Sequence, residues 1–412
     1  MSLNKNNFEI SLEDIKKAAL LMKEAIHYTP LDSSKTFSTI TGVNTYLKLE
    51  NLQKTGSFKI RGAYCKINSL SEAEKKKGVI AASAGNHAQG VAYAAKLSNI
   101  NSTIVMPQDA PLAKIAATKS YGAEVILEGH VYDEAYQKAQ EIQKERNMTY
   151  IHAFNDPHVI AGQGTIGLEV LEQLDNLDSI IVPVGGGGLL AGVALAVKKI
   201  KPNIKIYGVQ SKGAQAMYLS KKNSKLVSSE ITDTFADGIL VESPGDLTFE
   251  IINKYVDDIQ IVDDEEIARA ILMLLERSKL MVEGAGAVSL AALIHNKFSL
   301  KGNVACIISG GNVDVNFISR IIERGLVRSG RRVCLPTIMP DRPGSLQTLL
   351  AIIAKLKANV LSISLDRLGR NVPLGHAFVL IRLETKDAEH TKEIFDHLRN
   401  CGYDIDTENS CK

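Results

Sequence analysis

From about Thr45 onward the chain alternates short, continuous apolar runs with stretches that carry a helical stripe, and this alternation limits the possible folds more than any other feature. The runs are "TYLKLE", "GVIAAS", "STIVMP", "AEVILE", "SIIVPV", "IKIYGVQ", "DIQIVD" and "NVACIIS". Between nearly all of them lie helical segments: "KIRGAYCKINSL", "NHAQGVAYAAKL", "PLAKIAATKSYG", "VYDEAYQKAQEIQKE", "LLAGVALAVKKI" and "DEEIARAILMLLERS". Strands that are apolar at successive positions are covered on both faces, as in mainly parallel sheets clothed by helices. The fold class is therefore α/β. A first helix, "SLEDIKKAALLMKEAI", has Ser11 as its N-cap.

The pattern changes after about Leu326. "RRVCLPTIM" predicts a strand, "DRPGS" a turn and "LQTLLAIIAKLKA" a helix with Leu346, Leu349, Leu350, Ile353 and Leu356 on one face. The strands "NVLSISLDR" and "HAFVLIRLE" come next, then the helix "DAEHTKEIFDHLRN" and a stop at Gly402 before "YDI". The order βαββαβ is that of a ferredoxin-like split unit. "ERGLVRSGRR" reads as the linker to it.

With 412 residues, 45% of them hydrophobic, the chain can bury a large core in two or three domains. Lys+Arg at 48 against Asp+Glu at 46 gives no basic excess for a nucleic acid polymer. The scattered cysteines Cys65, Cys306, Cys334, Cys401 and Cys411 form no CxxC pair and are expected as thiols of a reducing compartment. The N-terminus has no signal-peptide core, and no apolar run approaches the ~20 residues that span a bilayer. A soluble, cytoplasmic protein with no membrane partner is expected.

Four segments fall at strand ends or helix starts, where open α/β sheets bind ligands. In "KTGSFKIRGA", Gly56 permits a turn, Ser57 is placed to cap a helix beginning at Phe58, and Lys59 lies in the first turn. The helix dipole and burial beside Phe58 both disfavour an ammonium there and favour a nucleophilic amine. In "SAGNHAQG", Ser83 to Gly90, the helix start offers unpaired N–H groups to a carboxylate, and Asn86 can bond a phenolic or carbonyl oxygen. In "VGGGGLLAG", Val184 to Gly192, four glycines before a helix let the backbone wrap a phosphate. Gly186, Gly188 and Ala191 also satisfy G-x-G-x-x-A, but the next strand ends at Gln210 with no acid for a ribose, and no GK[ST] supports a P-loop. In "SGGN", Ser309 to Asn312, a hydroxyl at a strand end can meet the edge of a flat ring. Each segment alone also has a plainer reading as a solvated lysine, a helix cap or a turn. Together they supply what pyridoxal phosphate needs: partners for its aldehyde, hydroxyl, phosphate and ring nitrogen.

"ENLQKTGSFKIRGA", "ASAGNHAQG", "VPVGGGGLLAGV" and "SGGN" resemble the fold-type II pyridoxal-phosphate enzymes, the tryptophan synthase β-like fold of two open sheets with helices. The resemblance covers roughly Ile10 to Arg324 and is strongest to the threonine dehydratase (threonine ammonia-lyase) branch, next to serine racemase and serine dehydratase. The tail with "MPDRPGSL" resembles an ACT domain, a module that commonly binds amino acids and regulates enzymes. The implied organisation is a catalytic domain over 1–325, with a small subdomain at about 45–155 inserted in the large one, and an ACT-like regulatory domain over 326–412. The resemblance implies that Lys59 carries the coenzyme as a Schiff base and takes the α-proton, with Phe58 packed beside it. It implies that Asn86 holds the ring hydroxyl, that Gly185, Gly186, Gly187, Gly188 and Leu189 cup the phosphate, and that Ser309, followed by Gly310, faces the ring nitrogen. Ser83, Gly85, Asn86 and His87 would receive the substrate carboxylate; Gly238 of "DGIL" and Glu283 of "VEGAGA" would lie near the ring.

The reaction implied by the resemblance is β-elimination: L-threonine to 2-oxobutanoate and ammonia, and L-serine to pyruvate. The cofactor phosphate would protonate the departing hydroxyl, and a neutral Ser309 suits elimination over transamination. Two departures from the racemase relatives stand out. Ala84 replaces the serine that serves as base on the opposite face, and Gln210, ahead of "SKGAQAM", replaces an acidic metal ligand. Racemisation and a divalent metal of that type are therefore not expected. The rival readings are a serine-preferring dehydratase or racemase, and a non-catalytic amino-acid sensor. An amino-acid or nucleotide effector and a homo-oligomer, dimer or tetramer, complete the expectation.

Overall fold

In the computed structural model of the protein, residues 10–369 and 372–405 are described. The chain divides into two compact units at Val313/Asp314. Cys411, among the expected thiols, lies outside the described residues.

The first unit contains two sheets. Its strands are β1 (Leu31–Ser33), β2 (Asn44–Leu49), β3 (Val79–Ala82), β4 (Ser102–Met106), β5 (Glu124–Leu127), β6 (Thr149–Tyr150), β7 (Ser179–Pro183), β8 (Lys205–Ser211), β9 (Asp258–Val262) and β10 (Asn303–Ile308). The larger sheet has the order β1-β2-β10-β7-β8-β9, and the smaller β5-β4-β3-β6. All neighbours are parallel except β1 and β2. The small subdomain was expected to begin near residue 45, but β2 pairs with β10 for its whole length, Asn44↔Asn303 to Leu49↔Ile308. The small sheet accordingly starts only at Val79.

The small sheet shows why its strands read as unbroken apolar runs. Val79, Ala81, Ile104 and Met106 pack in one core with Ala88, Val91 and Ala92 of the helix Asn86–Leu97. Ile80, Ala82 and Val105, which point the other way, pack with Ala135, Ala139 and Ile142 of the helix Tyr132–Arg146. In the larger sheet Ile180, Val182, Ile206, Ala305 and Ile307 share a core with Val193, Ala194 and Val197. The first helix runs Leu12–Met22, with Ser11 and Asp14 forming a capping box.

One polar cluster lies inside this apolar frame. Arg61 is fully buried and donates to Glu50 at 2.7 and 2.8 Å and to Glu169 at 2.6 Å. Lys48, equally buried, meets Glu169 at 2.5 Å and the Thr29 carbonyl at 2.7 Å. Two cations thus face two carboxylates, with the remaining donors and acceptors taken up by Thr29, Thr165 and Gln173. Stripping any one partner would leave a buried charge uncompensated. The cluster ties the helix Lys59–Asn68 to the end of β2 and to the helix Pro157–Gln173.

The second unit opens with the helix Val315–Arg328, so most of "ERGLVRSGRR" is helical rather than a linker. Asp314 caps it, accepting from Asn316 N at 2.7 Å, and Ile318 and Ile321 lie buried one turn apart. The next elements are β11 (Arg332–Pro340), the helix Ser345–Lys355, β12 (Asn359–Asp366), β13 (His376–Glu384), the helix Ala388–Asn400 and β14 (Asp404–Ile405). The sheet is antiparallel, in the order β12-β13-β11-β14. Leu349 and Ile353 are buried in its core, with Leu346, Leu350 and Leu356 packed at the margin. Cys334 is held in a disulfide, against the expectation of thiols, while Cys65, Cys306 and Cys401 are free. Among the described residues no helix is long and apolar enough to cross a membrane.

Candidate active site

Lys59 is the first residue of its helix, and Phe58 occupies the N-cap position. Ser57 does not cap it. Its backbone bridges to Gly310, Phe58 N donates to Ser309 O at 3.1 Å, and the Ser57 hydroxyl is buried without a partner. The loop leading to the lysine is thus pinned against the segment after β10. Lys59 Nζ lies 5.1 Å from the Phe58 ring centroid and 3.4 Å from the Ala153 carbonyl. Desolvation brings its pKa down to about 8, opposed by the nearby Glu283 carboxylate. Roughly a tenth of such an amine is uncharged at neutral pH.

The glycine loop comes after β7. Gly187 has φ 100° and caps the helix Gly188–Ile200. A Cβ on Gly186 would strike the Phe154 ring, and one on Gly188 would lie 2.9 Å from Phe154 Cα. Thr248 Oγ1 donates to Gly186 O at 2.6 Å and holds the loop from the other side. The first intrahelical bond that the cap accepts runs from Ala191 N to Gly187 O, so the N–H groups of Gly188, Leu189 and Leu190 have no partner within the helix. They form an anion cradle. Gly185 approaches Ile239, where a Cβ would come within 3.1 Å of Ile239 Cα.

After β3, Ser83 Oγ accepts from Gly85 N at 3.1 Å, and the helix begins at Asn86. The space beside Gly85 is open. The His87 side chain turns inward. Its ring is buried, Nε2 donates to Ile151 O at 2.8 Å, and burial together with the nearby Lys59 charge pushes its pKa down to about 3. The imidazole is therefore neutral and turned into the protein. What this turn offers an anion is its backbone N–H groups, not a cationic side chain.

Asn86 links the remaining groups. Its Nδ2 donates to Glu283 Oε1 at 2.6 Å, and its Oδ1 accepts from Asn312 Nδ2 at 2.8 Å. Glu283 precedes the helix Gly284–Ile294, is buried, and has its pKa pushed up to about 8 by desolvation and by Asp237. The Asn86 hydrogen bond, Lys114 and Lys59 oppose that rise. Lys114, on the helix Leu112–Ser120, meets Asp237 at 2.7 Å. A Cβ on Gly238 would stand 3.6 Å from Glu283 Oε1 and 3.9 Å from Asn86 Nδ2, and one on Gly310 3.2 Å from Asn86 Nδ2. Buried Ser309 directs Oγ to Ala285 O at 3.4 Å.

Phe58, Lys59, Asn86, Glu283, Ser309 and Gly310 are thereby brought together, with Gly238 beside Asn86 and Glu283. The glycine cradle connects to them through a segment the sequence patterns did not flag. Ala153 accepts from Lys59, and the next residue, Phe154, carries the cradle. His152 braces this turn, its Nδ1 accepting from Phe154 N at 3.2 Å and Asn155 N at 2.9 Å. The preceding strand β6 has only two residues, too short to mark a strand end. Thr248 carried no signal, whereas Asn312 stood in plain view as the last residue of "SGGN".

The profile of a family described as pyridoxal-phosphate dependent enzyme matches residues 22–310. An L-threonine ammonia-lyase of Thermotoga maritima is 54% identical over 397 residues, 96% of this chain and 99% of that protein. Among solved structures, maize serine racemase superimposes with a TM-score of 0.73 at 38% identity, covering 77% of this chain and 98% of its own. The processed form of threonine deaminase isoform 2 from Solanum lycopersicum superimposes with a TM-score of 0.73 at 40% identity, covering 76% and 86%.

Proposed function

This chain belongs to the pyridoxal-phosphate dependent enzymes, and we propose from that premise that it deaminates L-threonine to 2-oxobutanoate and ammonia. One adjacency carries the reading at the site. The carbonyl that receives the Lys59 amine belongs to Ala153, and the side chain that supports the glycine cradle belongs to Phe154. An amine and an anion cradle that rest on adjacent residues suit a coenzyme with an aldehyde on one side and a phosphate on the other.

The residues present fit that coenzyme. Gly185 to Leu189 would hold its phosphate on backbone N–H donors, in a loop whose other side Phe154 and Thr248 pack. Asn86 would meet the ring hydroxyl, Ser309 the ring nitrogen, and Phe58 the ring surroundings, with Gly238 and Gly310 leaving room beside Asn86 and Glu283. Pyridoxal phosphate, when bound, supplies an electron sink that labilises the Cα proton and lets the β-hydroxyl leave. Lys59 Nζ takes that proton, since a desolvated amine is a competent base near neutral pH. The helix start at Ser83, Gly85, Asn86 and His87 binds the substrate carboxylate through its N–H groups. The Ser309 hydroxyl stays neutral at its post and adds no charge to the ring edge.

L-serine is the second substrate, giving pyruvate. Racemisation is disfavoured because Ala84 offers no group to return a proton from the opposite face. Gln210 is an amide where an acidic metal ligand would be needed, and its oxygen accepts from Tyr218 N at 2.7 Å. The test is product analysis with L-threonine, L-serine and D-serine. Release of 2-oxobutanoate with negligible D-serine supports the assignment; substantial D-serine formation from L-serine overturns it.

The second unit is proposed as an ACT regulatory domain that binds an amino acid or a nucleotide, in an enzyme assembled as a dimer or tetramer. Its βαββαβ order and four-stranded antiparallel sheet support this. Titrating keto-acid release with isoleucine, valine, AMP and ADP would identify the effector, and an unchanged rate with all four would remove the regulatory assignment.

A further inference from the structure

The two asparagines of the site stand in a fixed donor sequence. Asn312 Nδ2 donates to Thr55 O at 2.8 Å and to Asn86 Oδ1 at 2.8 Å, so both of its amide hydrogens are used. Its amide packs close against Gly56, where a Cβ would strike Asn312 Oδ1 and sit 2.9 Å from Asn312 Cγ. Gly56 has φ +72°, so the backbone itself excludes most other residues at this contact. Asn312 therefore cannot rotate freely, and neither can the amide that accepts from it. Asn86 must keep Oδ1 toward Asn312 and turn Nδ2 toward Glu283, whose Oε1 it meets at 2.6 Å.

We propose that Asn312 is a positioning residue, which fixes the Asn86 amide as a donor toward Glu283 and toward the place of the coenzyme's ring hydroxyl. The proposal rests on the coenzyme reading above. Its physical need comes from Glu283. Burial, with Asp237 adding to it, raises this carboxyl's pKa to about 8 against the Asn86 hydrogen bond, Lys114 and Lys59, so its protonated form is accessible near neutral pH. A protonated carboxyl can donate. An unconstrained Asn86 could flip, accept that proton with Oδ1, and withdraw its donors from the ring hydroxyl. Asn312 removes the flipped state, because flipping would set Asn86 Nδ2 against Asn312 Nδ2, donor against donor. Thr55, Asn312, Asn86 and Glu283 then form one directional chain from the lysine loop to the acid.

The test uses the full-length holoenzyme and a double-mutant cycle on coenzyme retention. Asn312→Ala and Asn86→Ala are each expected to weaken pyridoxal phosphate binding by about tenfold or more, with the double variant no weaker than Asn86→Ala alone. Asn312→Asp, which offers acceptors in place of donors, is expected to invert Asn86 and to move the pH midpoint of the coenzyme's visible band by about one unit. Independent, multiplicative losses in the cycle, or a visible-band midpoint unchanged in Asn312→Asp, would overturn the assignment. If Asn312→Ala does not fold, Asn312→Ser carries the same cycle with one donor retained. A wild-type chain with no visible band would sink the coenzyme reading itself, which separates the two failures.

Discussion

Lys59 and Glu283 lie within electrostatic reach of each other in one buried site, and burial drives their pKa values together until both stand at about 8. Each charge favours the other: the carboxylate holds the proton on the amine, and the ammonium favours the ionised acid. Desolvation outweighs both effects. Removing the carboxylate as Glu283→Gln deletes the influence that raises the Lys59 pKa, so the amine should deprotonate below pH 8. The rate at which coenzyme-free chain captures pyridoxal phosphate should track the neutral amine. Its pH midpoint is expected to move acidward in Glu283→Gln; a midpoint that moves toward alkaline pH contradicts the coupling.

Lys114 and Asp237 act on Glu283 with opposite signs. Lys114→Ala should raise the Glu283 pKa further, and Asp237→Asn should lower it. The Lys114 and Asp237 side chains are 21% and 53% exposed, so both shifts should shrink in about 1 M salt, where the screening length is about 3 Å. Tracing the Glu283 carboxyl by infrared titration checks the sign of each shift, and shifts in the same direction for both variants would refute it.

The glycine cradle is limited by one ring. Gly186→Ala places a methyl group against Phe154 and should weaken coenzyme binding by about tenfold or more. Phe154→Ala in the Gly186→Ala background should recover part of that loss by clearing the space. Equilibrium dialysis of the single and double variants decides the matter, and no recovery in the double variant would mean the ring is not the obstacle.

Much of this site is legible in the sequence. Lys59, Asn86 and the four glycines sit where an apolar run gives way to a helix, a boundary that periodicity exposes. The helices Pro157–Gln173 and Gly284–Ile294 are not legible, because they are buried almost all round and show no polar stripe. The strands β1 and β6 span three and two residues, too few for a pattern. Ser57 resembles a cap because its residue type suits one, but pairing with Gly310 overrides that local preference. His87 has the residue type of an anion ligand, but burial and Ile151 claim its ring.

That burial has a consequence for acid stability. Folded His87 stays neutral down to about pH 3, whereas in the unfolded chain it takes a proton near its ordinary 6.5. Between those limits the unfolded state binds more protons, so stability falls as pH drops through the window, by up to about 1.4 kcal/mol per pH unit. His87→Gln keeps a donor for Ile151 O but does not titrate. Urea melts between pH 4 and 7 should show a shallower decline for this variant than for the wild type, and parallel declines would exclude His87 as the source.

The order of strands in the larger sheet sets when the site can exist during synthesis. β10 is the last strand of its unit to leave the ribosome, yet it lies between β2 and β7, both made long before. Ser309, Gly310 and Asn312 emerge directly behind it. A nascent chain that stops short of Asn303 can raise the lysine helix and the glycine loop, but a gap stays open where their common anchor belongs. Coenzyme capture thereby becomes a late checkpoint, one that a truncated or stalled translation product fails to pass.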